Sequence, residues 1–203
     1  MFRVKRTSIP LAKSLPYLLI VGGIIGGIAS FALTYETIHV LRGTGYQPGC
    51  NISPILSCGS VMKAPQSSIL GVPNSVYGLV AFSMLFTFGV LLASGAEVKK
   101  RVWVIAQLAA TAGIIFMHYL FFQAIFRIHS ICPWCFVVWM TTIPLFWYIT
   151  QYNLRERNLQ LPAKLAPLSA FIQKYSTDLL ILWYLLLLGV LVQRFWYYWS
   201  TLI

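Results

Sequence analysis

Charge is scarce in this chain. Lys, Arg, Asp and Glu make up 9% of its 203 residues, against 59% hydrophobic. A soluble domain of that size cannot hide so much apolar surface, so the composition excludes that class and points to an integral membrane protein. Inside the apolar runs charge is scarcer still. Glu36 and Arg127 stand near run ends, a poor endowment for an ion-coupled transporter. Only four cysteines are present, spaced C-x7-C and C-x2-C. That is not the four-ligand, finger-like spacing of structural zinc, and no metal is expected. No A-x-A cleavage signal follows the first apolar run, so "MFRVKR" and the run behind it read as a retained segment.

What is present is a set of long uncharged stretches: Leu15 to Tyr35, Ser75 to Ala96, Val102 to Phe126, Ile128 to Leu154, and Leu179 to Gln193, the last continuing into "RFWYYWSTLI". About 20 apolar residues cross the hydrocarbon as a helix. The expected fold is therefore an all-α integral membrane protein with five spans. Its parts would be a basic tail (1–14), a four-helix core (15–154) with an external loop (41–74), a linker (155–176) and a fifth helix (177–203).

The net charge of +11 does not imply nucleic acid, because the basic residues are segregated by loop. Arg3, Lys5, Arg6, Lys13, Lys99, Lys100, Arg101, Arg155, Arg157, Lys164 and Lys174 fall on one side of the spans. Arg42, Lys63, Arg127 and Arg194 fall on the other. The positive-inside rule puts the N-terminus in the cytoplasm and the C-terminus outside. All four cysteines then lie on the external side, where disulfides persist. A bacterial inner membrane fits this placement.

Four cysteines allow three pairings. Spacing favours Cys50 with Cys58 and Cys132 with Cys135, and a Cys58–Cys132 link is equally allowed. A Cys132–Cys135 disulfide closes too short a loop to stabilise much, so a reactive role explains it better than a staple. In "SICPWCFVVW", Pro133 suits the first helical position and Cys132 the N-cap, where the helix dipole lowers a thiol pKa. Cys135 lies one turn deeper. One sulfur faces water and protein, the other lipid.

The segment "GCNISPILSCGSVMKAPQSSILGVPNSVYG" carries many apolar side chains for a loop, and Pro54, Pro65 and Pro73 break it into short pieces. A short half-helix between Gly59 and Leu70, capping the bundle, is expected, since apolar patches of this kind usually cover something. Asn51-Ile52-Ser53 matches a glycosylation acceptor but sits between two cysteines, and is read as a chance match. "GGIIGG" (Gly22 to Gly27) offers paired G-x-x-x-G spacing for close helix packing. His118 is a polar residue within a span, either functional or a hydrogen-bonded bundle histidine. Trp196, Tyr197, Tyr198 and Trp199 read as an interfacial aromatic belt.

Taken in order, "CNISPILSCGSV", "GVPNSVYG" and "CPWC" opening a late helix resemble the vitamin K epoxide reductase family, whose bacterial members generate disulfides in exported proteins. The resemblance implies a four-helix bundle around a quinone, with a fifth helix and sometimes a fused thioredoxin-like domain. It implies that Cys50 and Cys58 accept electrons from a thioredoxin-like partner, Cys50 forming the mixed disulfide. Cys58 would then attack Cys132, and Cys135 would pass electrons to a ubiquinone or a menaquinone of the vitamin K type. Asn74 matches the asparagine that hydrogen-bonds the quinone carbonyl, with a helix cap as its duller reading. Tyr77 would share its helix face. Trp139 stands where the vertebrate enzymes have a tyrosine, and an indole N–H donates but cannot accept. That departure favours plain quinone reduction over epoxide reduction, which is the rival on the same scaffold. A rival of another class is a non-enzymatic membrane protein held by structural disulfides.

Overall fold

The computed structural model describes residues 10–43, 45–69, 71–159 and 162–200. Arg3, Lys5 and Arg6 of the basic tail, Leu70 at the far end of the expected half-helix, and Thr201 to Ile203 lie outside the described residues.

The five expected spans are five helices long and apolar enough to cross a membrane. Helix α1 runs Pro10–Leu41, α3 Asn74–Ala93, α4 Lys100–Gln123, α5 Pro133–Arg155 and α7 Ser176–Arg194. Between α1 and α3 lie a short helix α2, Cys58–Lys63, and a two-stranded hairpin, β1 (Ser68–Ile69) and β2 (Val72–Pro73). The chain is an all-α multi-pass membrane protein.

Helix α1 is the axis of the bundle, packing along both α3 and α5, while α4 packs on α5. Glycine permits the closest of these approaches. A Cβ on Gly23 would come within 2.7–2.8 Å of the backbone and Cβ of Phe86 on α3, and one on Gly22 within 2.7 Å of Leu145 on α5. The G-x-x-x-G pattern thus reads as packing on two faces at once. On α3, a Cβ on Gly78 would lie 2.7 Å from the Ser30 hydroxyl of α1. Helices α3 and α4, although consecutive, pack far less closely than α1 and α3, and Phe88 of α3 meets Trp103 of α4 edge-on at 5.1 Å.

Span four starts later than its hydropathy implies. Helix α4 ends in a single π-helical turn, Ala124–Ile128. His129 then takes a left-handed backbone (φ 57°), and Ile131 pairs in a short bridge before α5 begins at Pro133. Ile128 therefore closes span three instead of opening span four. The expected half-helix is also shorter: α2 ends at Lys63. Ala64, which precedes Pro65, is held extended (φ −70°, ψ 140°) by clash with the proline ring. A 3-10 turn, Pro65–Ser67, and the hairpin complete the cap.

The segment 155–176 carries structure of its own, a nine-residue helix α6, Ala166–Lys174, opened by Pro167. Leu168 and Phe171 on it are exposed, as suits a helix lying in a membrane interface. Helix α7 docks through polar contacts. The Trp183 indole donates to His118 Nε2 (3.1 Å), whose Nδ1 faces the Ile114 carbonyl at 2.8 Å, and the Tyr184 hydroxyl donates to the Met140 carbonyl (2.7 Å). His118 is thus a hydrogen-bonded bundle histidine with its tautomer set by two partners. Beyond α7, Phe195 is fully buried, Trp196–Trp199 form a last short turn, α8, and Arg194 contacts His129.

Candidate active site

The two cysteine motifs, far apart in sequence, are stitched together by backbone. Ile131 donates to the Ile55 carbonyl (2.8 Å) and accepts from the Ser57 N–H (3.0 Å), a parallel bridge between Leu56 and Ile131. The next residues along the two strands of this bridge are Ser57 then Cys58, and Cys132. Ser130 adds its hydroxyl to the Ile55 and Ser57 carbonyls. On the other side of Cys58, Ser57 caps α2 by accepting from the Ser60 N–H, and Asn51 accepts from Gly59 N–H (2.9 Å). Asn51 is thereby part of the loop's internal frame.

The consequence is a sulfur cluster. Cys50 and Cys58 form a disulfide, while Cys132 and Cys135 are free thiols. The Cys58 and Cys132 sulfurs lie 2.9 Å apart, and those of Cys50, Cys58 and Cys132 all fall within 4.8 Å of one another. Cys58 and Cys132 are fully buried, packed with Leu33 of α1 and Met62 of α2.

Cys132 is the N-cap of α5, with Pro133 behind it as the sequence implies. Its thiol pKa is lowered. The first cause is the hydrogen bond from the Cys135 thiol. The backbone N–H groups of Cys135 and Trp134 add to it, and together they outweigh the opposing effects of burial and of the Glu36 charge.

Behind the cluster lies a cavity of about 690 Å³ between α1, α3, α4 and α5. Cys132, Cys135 and Trp139 line one wall, and Asn74 and Tyr77 another, so five of the seven candidate residues meet there. Cys50 and Cys58 do not line it. The cap closes one end through Met62, Gln66 and Ile69. The side between α3 and α4, lined by Met84, Phe88, Ile105 and Ala109, carries the cavity down the bundle.

Asn74 has a different local job from a helix cap. It is the first residue of α3, and its side chain makes no cap bond. Instead Oδ1 accepts from the Ile69 N–H (3.1 Å) and Nδ2 donates to the Gln66 carbonyl (2.7 Å), clamping the hairpin to the helix. The Tyr77 hydroxyl donates to the Ile69 carbonyl (3.1 Å) from the same face. Trp139 is buried and meets Phe121 edge-on at 5.0 Å.

Sequence reasoning passed over Gln123. Its Oε1 is buried without a hydrogen-bond partner and its side chain lines the cavity. A polar residue within an apolar span was the available signal. The cavity fits a quinone by the chemistry of its walls: an apolar slot, a thiol at one side, and amides of Asn74 and Gln123 for carbonyl and hydroxyl oxygens. An orphaned buried amide oxygen on the wall of this cavity is a cost that a quinol hydroxyl would remove.

No curated protein sequence matches the chain. The profile of the vitamin K epoxide reductase family does match, over residues 17–150, from within α1 to the last turns of α5. Members of that family are membrane thiol–disulfide oxidoreductases that use a quinone. The match spans the sulfur cluster, the capped cavity and the four helices that hold them. The chain belongs to the vitamin K epoxide reductase family.

Proposed function

We propose that the chain is a thiol:quinone oxidoreductase that makes disulfides outside the cytoplasm. It would take electrons from a thioredoxin-like partner, carried separately or on a fused domain, and deliver them to a membrane quinone. The observation that carries this reading is the 2.9 Å approach of Cys58 to Cys132, between the Cys50–Cys58 disulfide and a thiol pair on an apolar cavity.

Each step is a thiolate attack on a disulfide with a thiolate leaving. The partner's thiolate attacks Cys50, and Cys58 leaves. A second partner thiol then resolves the mixed disulfide, freeing Cys50. Cys58 attacks Cys132 of an oxidised inner pair, and Cys135 leaves as thiolate on the cavity wall. Cys50 next displaces Cys132 from Cys58, which restores the outer disulfide and leaves Cys132 and Cys135 reduced, the arrangement described above. The lowered pKa of Cys132 makes it a good leaving group in that displacement. When bound, a quinone supplies the two-electron, two-proton acceptor that lets Cys132 and Cys135 re-form their disulfide. Asn74, Tyr77, Gln123 and Trp139 would hold it.

The experiment is thiol-dependent loss of quinone absorbance with purified protein, a reduced thioredoxin-like donor and a soluble quinone analogue. The expected result is turnover in the wild type and none in Cys135→Ser. Full turnover in Cys135→Ser sinks the proposal. So does a folded wild type that consumes no quinone.

A further inference from the structure

Thiol exchange inside a buried cluster needs somewhere to put protons. The chain has four carboxylate side chains. Glu97 lies between α3 and α4, Glu156 just after α5, and Asp178 in the first turn of α7, all at the bundle end away from the cysteines. Glu36 alone stands at the cysteine end.

Its placement is specific. Leu33, Glu36, Thr37 and Val40 share one face of α1 by their i, i+3, i+4, i+7 spacing. Leu33 and Val40 on that face pack into the cluster with Cys50, Cys58 and Cys132. Glu36 Oε2 is buried and has no hydrogen-bond partner, an expensive arrangement for an ordinary surface acid. The neighbouring hydroxyl is that of Tyr46, in the loop leading to Cys50, and the Glu36 carboxylate raises the Tyr46 pKa. The Glu36 charge also reaches Cys132. The other titratable or charged groups around this spot are Tyr35 and His39 on α1, with the His39 ring tilted against that of Tyr46 at 5.2 Å, and Arg42 at its end. To these are added Cys58 and exposed Lys63 on α2, Tyr77 on α3, and Cys135 in the first turn of α5.

We propose that Glu36 relays the proton when Cys50 displaces Cys132 from Cys58. The Cys50 thiol gives its proton to the Glu36 carboxylate. The Cys50–Cys58 bond forms as the Cys58–Cys132 bond breaks, and Cys132 leaves as a thiolate that takes the proton back from Glu36. One S–S bond replaces another, so no outside oxidant or reductant enters the step. Tyr46 steadies the carboxylate between the two transfers. The inference rests on the thiol:quinone reading above for its place in a cycle, but its own step involves only this chain's sulfurs.

The test uses the full chain in detergent as wild type, Glu36→Gln, Glu36→Asp and Glu97→Gln. Thiol-to-quinone turnover is read across pH 6 to 9, with the disulfide distribution by mass spectrometry. A positioned acid–base group contributes on the order of 10²–10⁴ in rate. Glu36→Gln should therefore lose at least about tenfold at neutral pH, recover as thiols ionise unaided, and accumulate the Cys58–Cys132 disulfide. Glu36→Asp should keep the wild-type pH profile, and Glu97→Gln should match wild type throughout. A wild-type profile in Glu36→Gln overturns the relay, as does an equal, pH-independent loss in Glu36→Gln and Glu36→Asp. The same rearrangement, Cys58–Cys132 to Cys50–Cys58, is followed in a glutathione buffer with no quinone. There, unchanged kinetics in Glu36→Gln also overturn the relay, so its failure is told apart from a wild type lacking quinone turnover.

Discussion

Replacing Asn74 by alanine should loosen the cap over the cavity, by an amount set by two bonds. The side chain accepts from Ile69 N–H at 3.1 Å and donates to the Gln66 carbonyl at 2.7 Å, both part-buried. A net contribution of about 1 kcal/mol for each gives about 2 kcal/mol. At 1.4 kcal/mol per factor of ten, that is roughly a thirtyfold rise in the open population of the segment Gln66 to Pro73. Tyr77→Phe removes a single, more exposed bond to the Ile69 carbonyl and should cost about 0.5 kcal/mol, roughly twofold. Amide hydrogen exchange in detergent without quinone reads this directly. The Ile69 amide should lose protection about thirtyfold in Asn74→Ala and about twofold in Tyr77→Phe, with α1 and α5 unchanged. Unaltered protection in Asn74→Ala would refute the clamp and leave Asn74 only its expected contact with ligand.

Gly23→Val places a branched side chain where even a Cβ meets Phe86 within 2.8 Å, so α1 and α3 must separate. A loss of about 1–3 kcal/mol, seen as a lower thermal midpoint in detergent, is expected. Trp183→Phe keeps an aromatic ring but removes the donor to His118 Nε2, and should free α7 by about 1 kcal/mol, measurable as faster proteolysis of the segment before α7. Cys132 should react with a small methanethiosulfonate at a pH below the ordinary thiol range near 8.5, because a lowered pKa gives thiolate at lower pH. Cys135→Ala deletes the first cause of that lowering, so the reactivity profile should move to higher pH. A profile unmoved by Cys135→Ala would contradict the assigned cause.

Much of this was legible in the residues, and the rest was hidden for identifiable reasons. Hydropathy and length located all five spans because a helix in lipid must be long, apolar and self-bonded. Pro133 after Cys132 fixed the start of α5 better than hydropathy did, since Ile128 is as apolar as any span residue yet belongs to the π turn. The half-helix expected to run toward Leu70 ends at Lys63, because Ala64 before Pro65 cannot stay helical. No periodicity marks the bridge of Leu56 to Ile131, because a two-residue pairing between segments that far apart leaves no local pattern. For the same reason sequence could list the four cysteines but not show that Cys58 faces Cys132. Asn74 was singled out for a ligand, and its bonds to Gln66 and Ile69 were invisible without the hairpin. Helix α6, read as linker, carries Leu168 and Phe171 on a short amphipathic turn that a span-length window averages away.

The central claim is that electrons pass between the two cysteine pairs through Cys58 and Cys132. In a Cys50→Ala, Cys135→Ala variant these are the two cysteines left, and 2.9 Å separates their sulfurs in the wild-type structure. Mild oxidation followed by digestion and mass spectrometry should find them joined in nearly every molecule, in detergent and in membranes alike. Two free thiols persisting in a folded variant would contradict the route, and with it the account of how this chain moves electrons.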